Sequence, residues 1–273
     1  MITSDIAARR ANNSHQQMNP HDLYALAFGS VAGGLIVMTG VGAGVIVVPV
    51  LITLFGLPPT VAVGTASVFS VLTRVMAVFE HLPLDRDARN LLFSFGRLAI
   101  PVTLVTALSI TALLNALPLW RETIQASLKI AVILAAAVAL AMLFLPALNQ
   151  ALRRKGRHLL PVATGVLIGA TGIGGGVLVV PALLAVSNTS IKRVIGLSVI
   201  MGLILSMITG AIYGASGELN WRVALLMTAG SLVSMPLAGR LFKRANESQV
   251  RVLSGIVMAL AIVGMVLDLA FRR

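Results

Sequence analysis

A glycine-rich segment occurs twice in this chain, from Thr39 to Pro49 and again from Thr171 to Pro181. The copies read TGVGAGVIVVP and TGIGGGVLVVP, and eight of the eleven positions are identical. The same offset of 132 residues places Gly33 on Gly165. We therefore interpret the chain as an internal duplication. In a membrane protein, Gly- and Pro-interrupted segments at matching places in two halves indicate a transporter's binding site.

The composition is typical of an integral membrane protein. Charged residues make up only 11% of the chain, against about 25% in soluble domains. Mean hydropathy is +0.96, and several apolar runs reach the roughly 20 residues that span a bilayer. We predict an all-α membrane protein. The net charge of +12 comes from basic residues in short loops, a pattern that orients membrane helices, so no nucleic-acid partner is expected.

The apolar runs divide the chain into four parts. These are a polar N-terminal tail (1–22), a first transmembrane repeat (23–148), a basic cytoplasmic linker (149–158) and a second transmembrane repeat (159–273). The tail has no apolar core before a cleavage site, so it is not expected to be a signal peptide. Each repeat is predicted to contain a glycine-interrupted helix pair followed by three transmembrane helices.

The apolar pieces that follow the two glycine runs are short. Residues 45–55 and 177–186 are 11 and 10 residues long, and at about 1.5 Å per residue neither crosses a core of about 30 Å. Two arrangements remain open. Each glycine-interrupted pair is either one broken spanning helix or a re-entrant hairpin that enters and leaves on the same side.

The distribution of loop charge favours the re-entrant hairpins. With hairpins, the basic regions 149–158, 187–193 and 240–251 all face the cytoplasm, as the positive-inside bias requires. The nearly neutral loops 115–122 and 214–222 then lie outside. Each repeat crosses the membrane three times, which is an odd number. The two structural repeats are therefore expected to be inverted relative to one another, with both termini outside.

The glycine motifs have the chemistry of an anion site. Glycine permits close approach to the backbone, successive backbone N–H groups form a concave anion nest, and a helix N-terminus attracts negative charge. The packing of small residues between membrane helices is the alternative explanation. The candidate binding residues in the two motifs are Thr39, Gly40, Gly42, Ala43, Gly44 and Pro49, and Thr171, Gly172, Gly174, Gly175, Gly176 and Pro181.

Polar residues in the helices after the motifs are further candidates. The hydroxyls of Thr65, Ser67 and Ser198 could bind a substrate oxygen, or they could bond to helix carbonyls instead. Arg74 is a strong charge inside an apolar run, which is a functional hypothesis by default. It could attract an anion, pair with Glu80, or extend to the membrane surface.

The motifs together resemble those of the TauE/SafE sulfite-exporter family. The resemblance covers about residues 23–270. It rests on Gly172-Ile-Gly-Gly-Gly176 with Pro181, on Leu57-Pro-Pro59, on Val63-Gly-Thr65 and on Glu218-Leu-Asn-Trp221. The first repeat departs from the pattern with Ala43, and the second with Ile195-Gly-Leu-Ser198. The resemblance implies a multi-pass permease of the bacterial inner membrane for small anions such as sulfite, sulfoacetate or other organosulfonates.

The leading prediction is a secondary transporter that binds a small anion at mid-membrane, between the two glycine motifs, and moves it by alternating access. A transporter of small organic carboxylates and an anion channel are the alternatives. No Gly-x-x-x-x-Gly-Lys-Ser/Thr motif occurs, so ATP hydrolysis by this chain is not expected. The apolar runs also lack the paired acids, bases or nucleophiles of an intramembrane enzyme.

No cofactor or metal is expected. The chain has no cysteine, which excludes disulfides and thiol chemistry. The expected partners are the small anion, the lipid bilayer, protons as a coupling ion and, as an open option, further copies of the chain.

Overall fold

The computed structural model describes residues 20–39, 44–78, 86–145, 159–172, 179–186, 191–242 and 247–271. These ranges form ten α-helices and one 3-10 turn, and none of them contains a strand. This architecture is the all-α fold that the composition predicts. Because lipid offers no hydrogen-bond partners, a helix, which satisfies its own backbone groups, is the natural form for such apolar segments.

The helices occur in two sets of five with the same order. The first set is α1 (Pro20–Thr39), α2 (Gly44–Thr53), α3 (Pro59–Val78), α4 (Arg86–Ala116) and α5 (Arg121–Phe144), with the 3-10 turn Pro118–Trp120 before α5. The second set is α6 (Leu159–Thr171), α7 (Val179–Val186), α8 (Ile191–Ala215), α9 (Trp221–Phe242) and α10 (Glu247–Phe271). The offset of 132 residues places each helix of the first set on its counterpart in the second. The described parts of the helices after the glycine runs are 10 residues long in α2 and 8 residues long in α7.

The outer surface of the bundle is apolar. Large hydrophobic side chains are exposed along several helices, among them Phe93, Val105, Val233 and Leu260. By length and composition, α4 and the part of α8 from Gly196 to Ala215 could each cross a membrane; Pro59–Val75, Leu159–Thr171 and Trp221–Leu237 are shorter apolar helices. An apolar surface of this extent is expected where a protein contacts lipid.

The two halves are interlocked through their first and fourth helices. Helix α1 packs on α9, and its counterpart α6 packs on α4. A β-carbon added at Gly33 would overlap Ser231, and one added at the equivalent Gly165 would lie 2.7 Å from the backbone oxygen of Ala99. Ser231 and Ala99 are themselves equivalent positions. The duplicated helices thus make the same glycine-mediated contact twice, as small residues allow in membranes.

Helices α3 and α8, which are also counterparts, pack against each other. A β-carbon at Gly64 would lie 3.0 Å from Tyr213 Cβ, and one at Gly210 would lie 3.3 Å from Val68 Cγ2. Further along, Arg74 contacts Ser206. Residue numbers rise along α3 as they fall along α8, so the two helices run antiparallel.

One end of the bundle gathers the starts of several helices. Asp22, near the start of α1, forms an ion pair with Arg222, near the start of α9. Glu218, between α8 and α9, contacts both Thr60 at the start of α3 and Arg121 at the start of α5. The chain therefore lies at this same end both before the first glycine run, at residue 22, and after it, at residue 60.

Candidate functional site

The structure describes the flanks of the two glycine runs. Helix α1 ends at Thr39 and α2 begins at Gly44, while α6 ends at Thr171 and α7 begins at Val179. Pro49 lies within α2, and Pro181 is the third residue of α7. The predicted site residues Gly40, Gly42, Ala43, Gly174, Gly175 and Gly176 lie outside the described residues.

Gly172 shows why a glycine is needed at the start of the second run. Its φ is +62°, a left-handed conformation that glycine adopts at little cost. Its N–H donates to the carbonyl of Ile168 at 2.9 Å, which closes the end of α6 as C-terminal caps commonly do. A β-carbon here would lie 3.1 Å from Val63 Cγ1 and 3.4 Å from Ser67 Oγ. The second glycine run therefore begins against α3.

The four predicted hydroxyl residues with described side chains are all buried: Thr65, Ser67, Thr171 and Ser198. Thr65 Oγ1 accepts a hydrogen bond from the Asn220 backbone at 3.0 Å. Ser67 Oγ accepts one from Thr209 Oγ1 at 3.0 Å. Thr171 Oγ1 donates to the carbonyl of Leu167, as expected if its hydroxyl bonds to its own helix. Thr65 and Ser67 instead connect the first half to the second.

Arg74 is buried between the halves, with 4% of its surface exposed. Its Nη1 donates to Ser206 Oγ at 3.5 Å, which is longer than the usual range of about 2.7–3.2 Å. Ser206 is the equivalent residue of the second half, so the two counterparts meet where α3 and α8 cross. No ion pair joins Arg74 to a carboxylate among the described residues. Pairing with Glu80 lies outside them, and a side chain extended to the membrane surface would be exposed.

Sequence reasoning missed several members of this polar interface. Ser70 and Thr73 on α3 and Thr209 on α8 are buried, and so is Tyr213, whose hydroxyl donates to the carbonyl of Gly169 at 3.1 Å. A signal was present in the spacing. The residues at 67, 70 and 74, and those at 206, 209 and 213, follow the three-and-four spacing of one helix face.

Glu218 is a second buried charged group, which the sequence singled out only as part of the Glu218-Leu-Asn-Trp221 motif. It is 6% exposed, accepts a hydrogen bond from Thr60 Oγ1 at 2.6 Å, and forms an ion pair with Arg121. A β-carbon at Gly64 would overlap the Glu218 backbone oxygen, so the Val63-Gly-Thr65 motif provides the room for this loop. Glu218 therefore ties α3 and α5 to the second half.

No group of three or more His, Cys, Asp or Glu side chains that could hold a metal ion occurs within the described ranges. The polar groups at the crossing of α3 and α8 are instead a guanidinium and hydroxyls. Guanidinium N–H groups and hydroxyls bind oxyanions. The arrangement can thus hold a small anion, and it offers no nucleophile–base pair for catalysis among the side chains just named.

Comparison with known proteins agrees with this description. Residues 25–265 match the family Sulfite exporter TauE/SafE. The chain is 24% identical over 235 residues to "Probable membrane transporter protein YjnA" of Bacillus subtilis (strain 168), covering 80% of this chain and 89% of the relative. It is 29% identical over 196 residues to a "Probable membrane transporter protein" of Haemophilus influenzae, covering 68% and 70% of the two chains. No solved structure gives a significant match.

The family match covers all ten helices at least in part, both glycine runs and the crossing of α3 and α8. This agrees with the resemblance read from the motifs. The chain therefore belongs to the sulfite exporter TauE/SafE family of membrane transporters.

Proposed function

We propose that this membrane transporter is a secondary transporter of small anions, which bind between its two halves at the crossing of α3 and α8 and move by alternating access. The observation that carries the proposal is the state of Arg74. It is buried, it has no described carboxylate partner, and it meets its counterpart Ser206 between the two halves. A side chain in this setting is expected to serve a ligand.

Burial makes the charge of Arg74 energetically costly. An arginine stays protonated in proteins, and an unpaired ion in a low-dielectric interior costs several kcal/mol. Serine hydroxyls offset only part of that cost. An anion bound at Arg74 would supply the missing charge and could accept two N–H bonds from the planar guanidinium. Arg74 and the hydroxyls beside it therefore favour a negatively charged ligand.

The surrounding groups fit the same ligand. Ser67 and Ser206 lie on the facing sides of α3 and α8, and hydroxyls can donate to oxyanion oxygens. Gly172 begins the second glycine run beside Ser67. We place both glycine motifs in the site, where their backbone N–H groups would add donors without adding a charged side chain.

We further propose that the substrate is a small sulfur-containing anion, such as sulfite, sulfoacetate or another organosulfonate. The family description supports this choice. A tetrahedral sulfonate or pyramidal sulfite presents three oxygens to donors arranged on several sides. Protons or the membrane potential would supply the driving force, and the bacterial inner membrane is the expected location.

The proposed topology is a pair of inverted repeats with re-entrant glycine hairpins and both termini outside. It is supported by the antiparallel packing of the counterparts α3 and α8. It is also supported by the position of residues 22 and 60, which lie at the same end of the bundle before and after the first glycine run. Inversion is a common basis of alternating access, because each half presents the same structure to the opposite side.

The binding test uses the purified protein in detergent with sulfite, sulfoacetate, taurine and small carboxylates, measured by calorimetry. Arg74→Gln should weaken binding of every anion that the wild type binds by at least about tenfold, the loss expected for truncating one partner of a buried charge pair. Arg97→Gln is the control, because Arg97 is exposed on α4. Unchanged affinity in folded Arg74→Gln would remove Arg74 from the site.

The transport test uses proteoliposomes with an imposed pH gradient or membrane potential. Uptake of the bound anion should respond to one of these gradients and should saturate with substrate. Discrete single-channel current steps in a planar bilayer would instead identify an anion channel. If the protein transported carboxylates in preference to all sulfur anions, the proposal of a transporter would stand, but a carboxylate would replace the proposed substrate.

Topology is tested by single cysteines in this cysteine-free chain. Leu119 is 95% exposed, in the 3-10 turn before α5, and Arg89 is exposed near the start of α4. In intact cells, Leu119→Cys should react with an impermeant thiol reagent and Arg89→Cys should react only after the membrane is opened. The reverse pattern would contradict the proposed orientation.

A further inference from the structure

The buried charges of the described residues show an imbalance. Among these residues the buried charged side chains are Asp22, Arg74 and Glu218. Asp22 is paired with Arg222, and Glu218 is paired with Arg121. Only Arg74 lacks a partner of opposite charge in the described part of the chain. Within the described residues, the crossing of α3 and α8 therefore carries one positive charge that no carboxylate balances.

The helix ends at the glycine runs do not change this count. The N-terminus of a helix carries about half a positive charge, and the C-terminus carries about half a negative charge. Each run lies between one C-terminus and one N-terminus: α1 ends at Thr39 before α2 begins at Gly44, and α6 ends at Thr171 before α7 begins at Val179. Each run is thus flanked by partial charges of both signs, and residues 40–43 and 173–178 contain no charged side chain. The runs can supply hydrogen-bond donors, but they add no net charge.

We infer that the site selects ligands that carry a single negative charge. This inference rests on the proposed function and specifies its substrate class. A monoanion neutralises Arg74, whereas a dianion leaves one negative charge in the low-dielectric interior without a partner. Hydroxyl and backbone donors stabilise such a charge only in part, so the dianion pays a larger desolvation cost. Simple alkanesulfonates and hydrogensulfite meet the condition, and sulfate and the sulfite dianion do not.

Some anions that the proposed function treats as equivalent substrates should therefore differ in affinity. Sulfoacetate carries a carboxylate in addition to its sulfonate, so it should bind more weakly than a simple alkanesulfonate. Methanesulfonate and sulfate form a sharper pair. Both are tetrahedral, and they differ in that a methyl group replaces one charged oxygen. Any large difference in their affinities reports on charge rather than on shape.

The experiment measures calorimetric affinities of methanesulfonate and sulfate for the full-length protein in detergent at constant ionic strength. Methanesulfonate should bind at least about tenfold more tightly, because the unpaired second charge of sulfate costs more than the 1.4 kcal/mol that corresponds to a factor of ten. Acetate and malonate provide a second pair that differs by one carboxylate. Equal affinities, or tighter binding of the doubly charged member, would overturn the inference.

Variants show whether the preference comes from Arg74. Arg74→Lys keeps the charge and should keep the preference for the monoanion, while folded Arg74→Gln should reduce the ratio of the two affinities toward one. Arg97→Gln should leave the ratio unchanged. A ratio that survives Arg74→Gln would overturn the inference and leave the transporter proposal in place. Failure of the wild type to bind any anion, monoanion or dianion, would overturn the proposed function and the inference with it.

Discussion

The two halves of this protein meet through two kinds of interface, one held by close glycine packing and one that buries a charged side chain. Where α1 meets α9, glycines bring the backbones together: β-carbons added at Gly29 or Gly230 would overlap backbone oxygens of the facing helix. Where α3 meets α8, buried hydroxyls and a guanidinium fill the interface. Close packing is sufficient to join membrane helices. The buried guanidinium at the second interface is therefore not needed for joining, which supports the proposed anion site.

The second interface is also the less symmetric of the two. The contacts of Gly33 and Gly165 are counterparts, and both halves keep a small residue facing them. At the crossing of α3 and α8, the counterparts are Arg74 and Ser206. A duplication would provide two equal residues at this place, yet only one half carries the charge. The structural contact was kept in both halves, whereas the charged position differs.

The largest effect is expected at the packed interface. Gly230→Val should lower the free energy of unfolding by about 3 kcal/mol or more, because its side chain has no room beside the backbone of Leu26. The measurement is thermal unfolding in detergent together with the yield of monodisperse protein. Ala229→Val is the matched control, since Ala229 is exposed on the same helix turn. Equal stability of the two variants would show that α1 and α9 are not held together in this way.

Arg74→Gln should have the opposite effect on stability. Removing an unpaired buried charge should raise the free energy of unfolding of the ligand-free protein by about 1 kcal/mol or more. Thermal unfolding without added anions measures it. Arg121→Gln is the contrast, because it removes the partner of the buried Glu218 and should lower stability. A fall in stability with Arg74→Gln would mean that Arg74 holds the fold together.

The smallest effect is expected for a single hydroxyl at the polar interface. Ser67→Ala removes the acceptor of the Thr209 hydroxyl, a bond worth about 1 kcal/mol. Thr209 can still donate to the carbonyl of Leu205 at 3.1 Å, so the loss of stability should be smaller than the value of that bond.

Anion affinity of Ser67→Ala should fall more clearly than its stability if Ser67 donates to the ligand. Calorimetry and thermal unfolding of the same preparation compare the two, with Ser127→Ala on the exposed side of α5 as the control. A loss of stability without loss of affinity would assign Ser67 to packing alone.

Much of the fold could be read from the sequence. The repeated segment revealed the duplication, and the apolar runs placed the helices. The motifs also led to the correct family. The glycine runs at the centre of the predicted site lie outside the described residues, so their role as an anion nest stays a prediction.

The sequence by itself determined which segments are helical, that the chain is a membrane protein, and that its two halves are related. Tertiary structure alone decided that α1 packs on α9 across the halves, that Arg74 meets its own counterpart, and that Glu218 is paired with Arg121. The physical reason is that lipid is as apolar as a protein interior. Hydropathy therefore marks a membrane helix without showing which of its faces meets lipid and which meets protein. Only the packing of the helices shows that Arg74 is enclosed between two halves.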